Sequence, residues 1–213
     1  MKSKRIIMSL IGVLITAVSV GAFKFCAFGV DPFQSFMTGI NSLMPINYGT
    51  LYVLVNAVLL IFALIFDRGS IGISTFINLF LLGYIADFAQ NGLLVVFPAA
   101  SVLVRLIIFS LGFVSLCFGA SMYITANLGV STYDVIALVC ANKWKLGEFK
   151  YIRMVTDFIC IIAGITMYLI SGGQPKGIMA FVGIGTVLTA FFMGPLIDWF
   201  NRKISVPLLE KVC

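Results

Sequence analysis

Histidine is missing from this chain altogether, and charge is scarce: only 10% of the 213 residues are Asp, Glu, Lys or Arg. Without imidazole there is no HExxH zinc site, no Ser–His dyad and no other His-dependent metal or triad chemistry. A soluble domain of this length carries roughly 25% charged residues. The shortfall, together with 61% apolar residues and a mean hydropathy of +1.12, means that most of the surface faces lipid or other helices. Cysteine offers no framework either. Cys26, Cys117, Cys140, Cys160 and Cys213 are isolated, form no CxxC and are odd in number. They read as small buried apolar residues, so no disulfide scaffold, metal or cofactor is expected.

Positive charge is in excess, with a formal net charge of +6, but its placement excludes a nucleic-acid face. The basic residues gather at Lys2, Lys4 and Arg5, at Lys143, Lys145, Lys150 and Arg153, and at Arg202, Lys203 and Lys211. These are short segments beside apolar runs, as the positive-inside rule expects for cytoplasmic loops. No basic surface with interleaved stacking aromatics occurs. Residues 2–23 have the basic start and apolar run of a signal peptide. The run is long and no A-x-A-like site follows, so a retained first span is expected.

What is present is a duplicated phrase. Gly72-Ile-Ser-Thr75 is followed by Gly83 and Asp87, and Gly183-Ile-Gly-Thr186 by Gly194 and Asp198. Gly follows Thr by eight positions, and Asp follows Gly by four, in both copies. A second echo pairs Gly29-Val-Asp-Pro-Phe-Gln34 with Gly129-Val-Ser-Thr-Tyr-Asp134. The chain 1–213 therefore reads as one membrane domain with two copies of a common unit, 6–89 and 102–200. Duplication of this kind builds many transporters, with the substrate path between the copies.

Spans of about 20 residues are expected at 6–27, 49–66, 70–89, 102–127, 150–171 and 177–200. Two short elements remain, 31–44 and 131–142. At 1.5 Å per residue they reach only about 20 Å, against a hydrocarbon core of roughly 30 Å. They read as re-entrant half-helices. Asp31 with Pro32 at the first helical position, and Ser131 followed three residues later by Asp134, are capping signals at their starts.

Matching loops carry opposite charge bias. Residues 45–50 hold no Lys or Arg and 143–153 hold four; 88–104 hold none and 201–211 hold three. Two copies inserted upside down relative to each other account for this, and three spans per copy produce the inversion. The expected fold is an all-α polytopic membrane protein of two inverted repeats, each with three transmembrane helices and one half-helix. Both termini are then cytoplasmic, with 90–101 and 172–176 outside and 143–149 inside. Eight crossings with parallel repeats is the alternative.

Intramembrane polar residues supply the candidate site. Arg153 and Asp157 stand four apart on one span and share a face. Asp157 lies at least a turn inside, where an unpaired carboxylate costs roughly 2.5–3.5 kcal/mol on insertion scales. Asn56 takes the corresponding place in the first copy, and Asp134 adds a carboxylate in the first turn of the second half-helix. A polar cavity lined by these groups and a structural pair pinning the broken helix both fit. Thr75 and Thr186 recur in the Gly-Ile-x-Thr phrases, which suggests a symmetric contact at the repeat interface and adds them to the substrate-binding candidates. Asp87 and Asp198 read as markers of span ends, Asp198 pairing with Arg202. Lys24 and Arg105 lie within snorkelling reach of an interface. Half-helix N-termini favour an anionic or carbonyl-bearing ligand, whereas Asp31 and Asp134 at those ends oppose it, so the ligand's charge stays open.

Asn127-Leu-Gly-Val-Ser-Thr-Tyr-Asp134, then Arg153 and Asp157, then Gly183-Ile-Gly-Thr186 with Gly194-Pro-Leu-Ile-Asp198, resemble the YczE/YyaS/YitT family of bacterial integral membrane proteins. Tyr48-Gly-Thr50 and Gly72-Ile-Ser-Thr75 are similar to the first half of that family. The sequence departs from its pattern at Thr132, where the family usually has proline, and at Ser74, where it has glycine. The resemblance implies a multi-pass protein of the bacterial plasma membrane and names no substrate.

A small-solute transporter or permease in contact with the lipid bilayer, taking a small molecule or ion, is the leading functional expectation. A homo-oligomer is allowed. The alternative is a non-transporting membrane partner of a biosynthetic or regulatory complex, contacted through 143–153 and 201–213. An intramembrane enzyme is not expected: Tyr133-Asp134 is similar to one half of an aspartyl-protease pair, but Gly183-Ile-Gly is followed by Thr186 rather than Asp.

Overall fold

The computed structural model describes residues 2–211; Met1, Val212 and Cys213, with the side chains of Lys150 and Lys211, fall outside the described part. The expectation for Cys213 therefore lies outside the described residues. No strand occurs among the described residues. The helices are α1 (Lys2–Cys26), α2 (Pro32–Leu43), α3 (Tyr48–Phe66), α4 (Ile73–Val96), α5 (Val102–Ala126), α6 (Thr132–Leu138), α7 (Phe149–Ile170), α8 (Ile184–Phe200) and α9 (Val206–Lys211). Six segments are long and apolar enough to cross a membrane: α1, α3, α4, α5, Tyr151–Ile170 within α7, and the run Pro175–Glu210 around α8. Continuous helices close their own backbone hydrogen bonds, as hydrocarbon demands. The protein is an all-α, multi-pass integral membrane protein.

Three boundaries differ from the sequence expectation. α4 runs to Val96 rather than ending at 89, so the connection spans 97–101 rather than 90–101. Gln90 and Asn91 look like an exit, but the apolar run Leu93–Val96 carries the helix on. The last span does not begin as α-helix at 177. Pro175–Ala180 is a 3-10 turn, Gly183 is extended at φ −151°, and the α-helix starts at Ile184. At its far end it continues through the π turn Asn201–Ser205 into α9, so 201–211 is a helical extension rather than a loop.

The short elements form where the caps predict them. Asp31 accepts the Gln34 N–H at 3.1 Å ahead of Pro32 at the first helical position. Ser131 accepts the Asp134 N–H at 3.2 Å and donates its hydroxyl to the Asp134 carboxylate at 2.6 Å. α2 has twelve residues and α6 seven, extended by the π turn Val139–Lys143. Each unit is about 18 Å long, too short to cross.

α1 and α5 form the centre and run antiparallel. Arg5 donates to the Ala126 carbonyl at 3.5 Å at one end, and Phe23 stacks on Phe109 at 4.7 Å towards the other. A Cβ on Gly12 would lie 2.7 Å from the Gly119 carbonyl, so glycine sets this close crossing. α4 packs on α1, and α8 on α5. The half-helices cross over: α2 packs on α7 of the second half, α6 on α3 of the first.

Candidate functional site

Two reciprocal clasps hold the approaches to the half-helices. The Thr75 hydroxyl donates to the Val130 carbonyl at 2.7 Å and accepts the Gly72 N–H at 3.1 Å. The Ser74 N–H reaches the Leu128 carbonyl at 3.0 Å. In the other clasp Thr186 donates to Val30 at 2.7 Å and accepts from Gly183 at 3.2 Å, while the Gly185 N–H reaches Phe28 at 2.7 Å. Each Gly-Ile-x-Thr phrase thus grips the loop that enters the other half's short helix. The loops turn on Gly29 (φ +102°) and Gly129 (φ +110°), a conformation that side chains with a Cβ rarely take. Thr75 and Thr186 spend their hydroxyls on backbone groups, which gives them a structural task. Neither half of the clasp bonds within its own helix alone.

Held this way, the first turns of α2 and α6 meet: Phe33 stacks on Tyr133 with ring centroids 4.8 Å apart. A charged cluster forms beside them. The Arg153 guanidinium pairs with Asp134, and its Nε lies 3.3 Å from Asp157. The same guanidinium sits 4.2 Å from the centre of the Tyr133 ring. The Tyr133 hydroxyl donates to Asp157 at 2.6 Å, and the Cys160 thiol approaches that hydroxyl at 3.6 Å. Asp31, the cap of α2, lies within electrostatic reach of Arg153 and Asp157. The half-helix starts and the ionised groups of α7 therefore converge. The cluster is partly open, with Arg153, Asp134 and Asp157 side chains 31%, 35% and 24% exposed.

Neutral polar groups continue inward from it. Thr132 donates to the Asn56 carbonyl oxygen at 2.6 Å, the Asn56 amide donates to the Tyr52 backbone carbonyl at 2.8 Å, and the Tyr52 hydroxyl donates to Asn78 at 3.0 Å. Asn56 is 1% exposed, so its two hydrogen bonds are what make its burial affordable. Beyond lies a second ion pair, Lys24–Asp87 at 3.7 Å, with the Lys24 ammonium 3.3 Å from the Tyr48 ring centre and Tyr48 donating to Gln34.

The structure brings together Asn56, Asp134, Arg153 and Asp157, and places Thr75 and Thr186 at the clasps. Asp87 pairs with Lys24, which stands in the last turn of α1. Because α4 continues to Val96, Asp87 sits inside the helix and faces Lys24, which pairs rather than snorkels. Asp198 does pair with Arg202, at 3.7 Å and exposed. Sequence reasoning missed the Lys24–Asp87 pair and the tyrosines 48, 52, 123 and 133. Tyrosine is ordinary in an apolar helix, and only the fold turns Tyr48, Tyr52 and Tyr133 towards polar partners. Two pockets, of about 570 Å³ and 360 Å³, lie elsewhere. The first is an apolar groove lined by Phe113, Leu188 and Trp199, the second a recess between Lys2, Gly72 and Gly129.

The cluster joins Asp134, at the start of α6, to Arg153 and Asp157 on α7, beside the loop that Gly72–Thr75 grips. The chain is 27% identical over 187 residues to the uncharacterized membrane protein YczE of Bacillus subtilis (strain 168), covering 86% of this chain and 78% of that one. It is 23% identical over 201 residues to the uncharacterized protein YyaS of the same organism, covering 94% of each. No solved structure matches. Residues 3–202 match the family described as "Family of unknown function (DUF6198)", and the chain belongs to that family.

Proposed function

We propose that this membrane protein is a small-solute transporter or permease whose site is the junction of the two half-helices. The observation that carries the reading is the convergence of the α2 and α6 starts, through Phe33 and Tyr133, on the Arg153–Asp134–Asp157 cluster. Ionised groups within membrane spans are costly and mark substrate or ion paths by default. Broken helices at membrane depth persist only where their ends face protein or water. The antiparallel pairing of α1 with α5 and the crossed packing of α2 and α6 support an inverted duplication, with 6–89 and 102–200 as its copies. The charge bias of the loops supports cytoplasmic termini in a bacterial plasma membrane. No step of bond making or breaking belongs to this reading, so we class the protein as a non-enzyme.

Uptake of a labelled metabolite library into proteoliposomes is the test. Flux of one solute, lost in Arg153→Gln, is the expected result; absence of flux for every solute overturns the reading. One observation favours the alternative of a non-transporting membrane partner: the charged groups close on one another, and neither large pocket is lined by them. Co-purification with a stoichiometric protein partner, without flux, supports that alternative.

A further inference from the structure

We propose that the groove between α5 and α8 is a binding site for one anionic phospholipid, with an acyl chain lying in the groove and the headgroup phosphate held by Arg202 and Lys203. This goes beyond the transport reading and does not depend on it.

The groove is a gap between two contacts. Near its start α8 touches α5, where a Cβ on Gly185 would lie 2.9 Å from the Phe109 ring. At the other end the Phe118 and Phe200 rings meet at 5.4 Å, and Thr125 donates to Asn201 at 2.8 Å. Between them about 570 Å³ stays open, lined by Phe113, Leu188, Phe192, Pro195, Leu196 and Trp199. Small-molecule sites take roughly 300–1,000 Å³. No residue of α8 between Thr189 and Phe200 is buried, and Pro195 breaks the hydrogen-bond ladder in the middle of that stretch. The pair α1 and α4, which also runs parallel, closes the equivalent stretch with its own residues. Ser9 and Ser74 share a hydrogen bond at 2.6 Å, a Cβ on Gly21 would lie 2.5 Å from the Ala86 carbonyl, and Asn78, Leu79, Leu82 and Gly83 are buried between.

Charge selects the occupant. Leu188, Phe192, Pro195, Leu196 and Trp199 recur every three or four residues and form one stripe along α8. Three and four residues beyond Trp199 come Arg202 and Lys203, both exposed, one turn further along that stripe. The adjoining carboxylate, Asp198, lies 3.7 Å from Arg202 in an exposed pair, and no ion pair within 4 Å includes Lys203 among the described residues. The Arg5–Ala126 and Thr125–Asn201 bonds bring the start of α1 and the ends of α5 and α8 to one side. Among the described side chains, Lys2, Lys4, Arg5, Arg202 and Lys203 stand there against Asp198 and Glu210, a basic surface. An apolar stripe that ends in tryptophan and then in cations matches a lipid in outline: the indole sits at headgroup level, and basic residues draw anionic headgroups. A second copy of this chain fits worse. Two-fold pairing through the groove would set Arg202 and Lys203 beside their own mates, like charge against like.

The test reads Trp199 fluorescence. Trp144→Phe leaves Trp199 as the one tryptophan and keeps a ring against Phe62 and Phe66. The full chain with that change is reconstituted in phosphatidylcholine vesicles holding a rising fraction of phosphatidylglycerol, or of phosphatidylcholine, brominated on its acyl chains to quench the indole on contact. Quenching by the phosphatidylglycerol should reach half-maximum at a mole fraction roughly tenfold lower, the effect of two surface cations partly offset by Asp198. Arg202→Gln with Lys203→Gln changes only exposed side chains, so it should fold and bring the two lipids level. Leu188→Phe with Leu196→Phe fills the groove and should also remove the preference. If Trp144→Phe does not fold, native mass spectrometry of the unaltered chain with both lipids at equal concentration decides, one phosphatidylglycerol retained in preference being the expected result. Equal quenching or equal retention of the two lipids overturns the proposal, as does a preference that survives in either double variant. Absence of quenching by both lipids, with a doubled mass in detergent, gives the groove to a second copy and overturns it too.

Discussion

The two clasps are built alike, whereas the helices beyond them are not. In the first half α3 and α4 pack tightly: a Cβ on Gly83 would lie 2.6 Å from Tyr52, and one on Gly49 would lie 2.5 Å from Tyr84. In the second half α7 leans on α2 and α6, and a groove of about 570 Å³ opens between α5 and α8. Pro195 stands inside α8, and Gly194 meets nothing within 4 Å. The chemistry differs as well. The first half contributes the neutral amides Gln34, Asn56 and Asn78 together with Asp31 and the Lys24–Asp87 pair, and the second contributes Asp134, Arg153 and Asp157. The shared clasp fixes backbone geometry in both halves, while a guanidinium held by two carboxylates is found in the second.

That contrast can be broken most severely at the clasps. A Cβ on Gly72 would lie 2.0 Å from the Leu128 carbonyl, and one on Gly185 would lie 2.4 Å from the Gly29 carbonyl. Backbone cannot yield as a side chain can, so Gly72→Ala and Gly185→Ala should each cost about 3 kcal/mol or more and abolish monodisperse protein on size exclusion. Gly112→Ala, where the nearest atom is 3.4 Å away on Phe23, should purify like the parent. Equal tolerance at Gly185 and Gly112 would mean that the clasp is not tight.

The charged side of the comparison is tested at Arg153. Arg153→Gln leaves Asp134 and Asp157 without their cation and should cost about 3 kcal/mol, somewhat less than a fully enclosed pair because the group is partly open. The double variant Arg153→Gln with Asp157→Asn should recover part of that loss in a detergent-melting series. If Asp157→Asn alone melts like the parent and keeps any flux, the cluster is a surface feature.

Smaller and equal effects are expected from Thr75→Val and Thr186→Val. Each removes one donor to a buried carbonyl, worth about 1–2 kcal/mol. A clear inequality in Tm between the two would show that the clasps are only superficially alike. Smallest of all is Asp198→Asn, since the Asp198–Arg202 pair is exposed. Its effect should stay within about 0.5 kcal/mol, and a larger drop in Tm would place that end of α8 in a contact that the isolated chain does not reveal.

Much of this was legible in the residues. Scarcity of charge and six long apolar runs require helices that cross a bilayer, because hydrocarbon leaves no other partner for the backbone. Capping chemistry placed α2 and α6 to within a residue at their starts, as Asp31–Pro32 and Ser131–Asp134 act locally. The spacing of Arg153 and Asp157 predicted their pairing for the same reason. Span ends were harder. Polar Gln90 and Asn91 signal an exit by composition, yet a helix can carry them into the interface, so α4 runs on to Val96.

The sequence alone determined the class of this protein, its multi-pass helical build, its family and the local caps, all of which depend on composition or on neighbours along the chain. Only the tertiary structure decided that each Gly-Ile-x-Thr phrase grips the loop of the opposite half. It alone brought Phe33 against Tyr133 and set Asp134 and Asp157 on one guanidinium. Those contacts join residues far apart in sequence, Thr75 with Val130 and Thr186 with Val30, and no local propensity encodes them. They follow from how closely glycine lets two backbones approach and from the need of every buried polar group to find a partner.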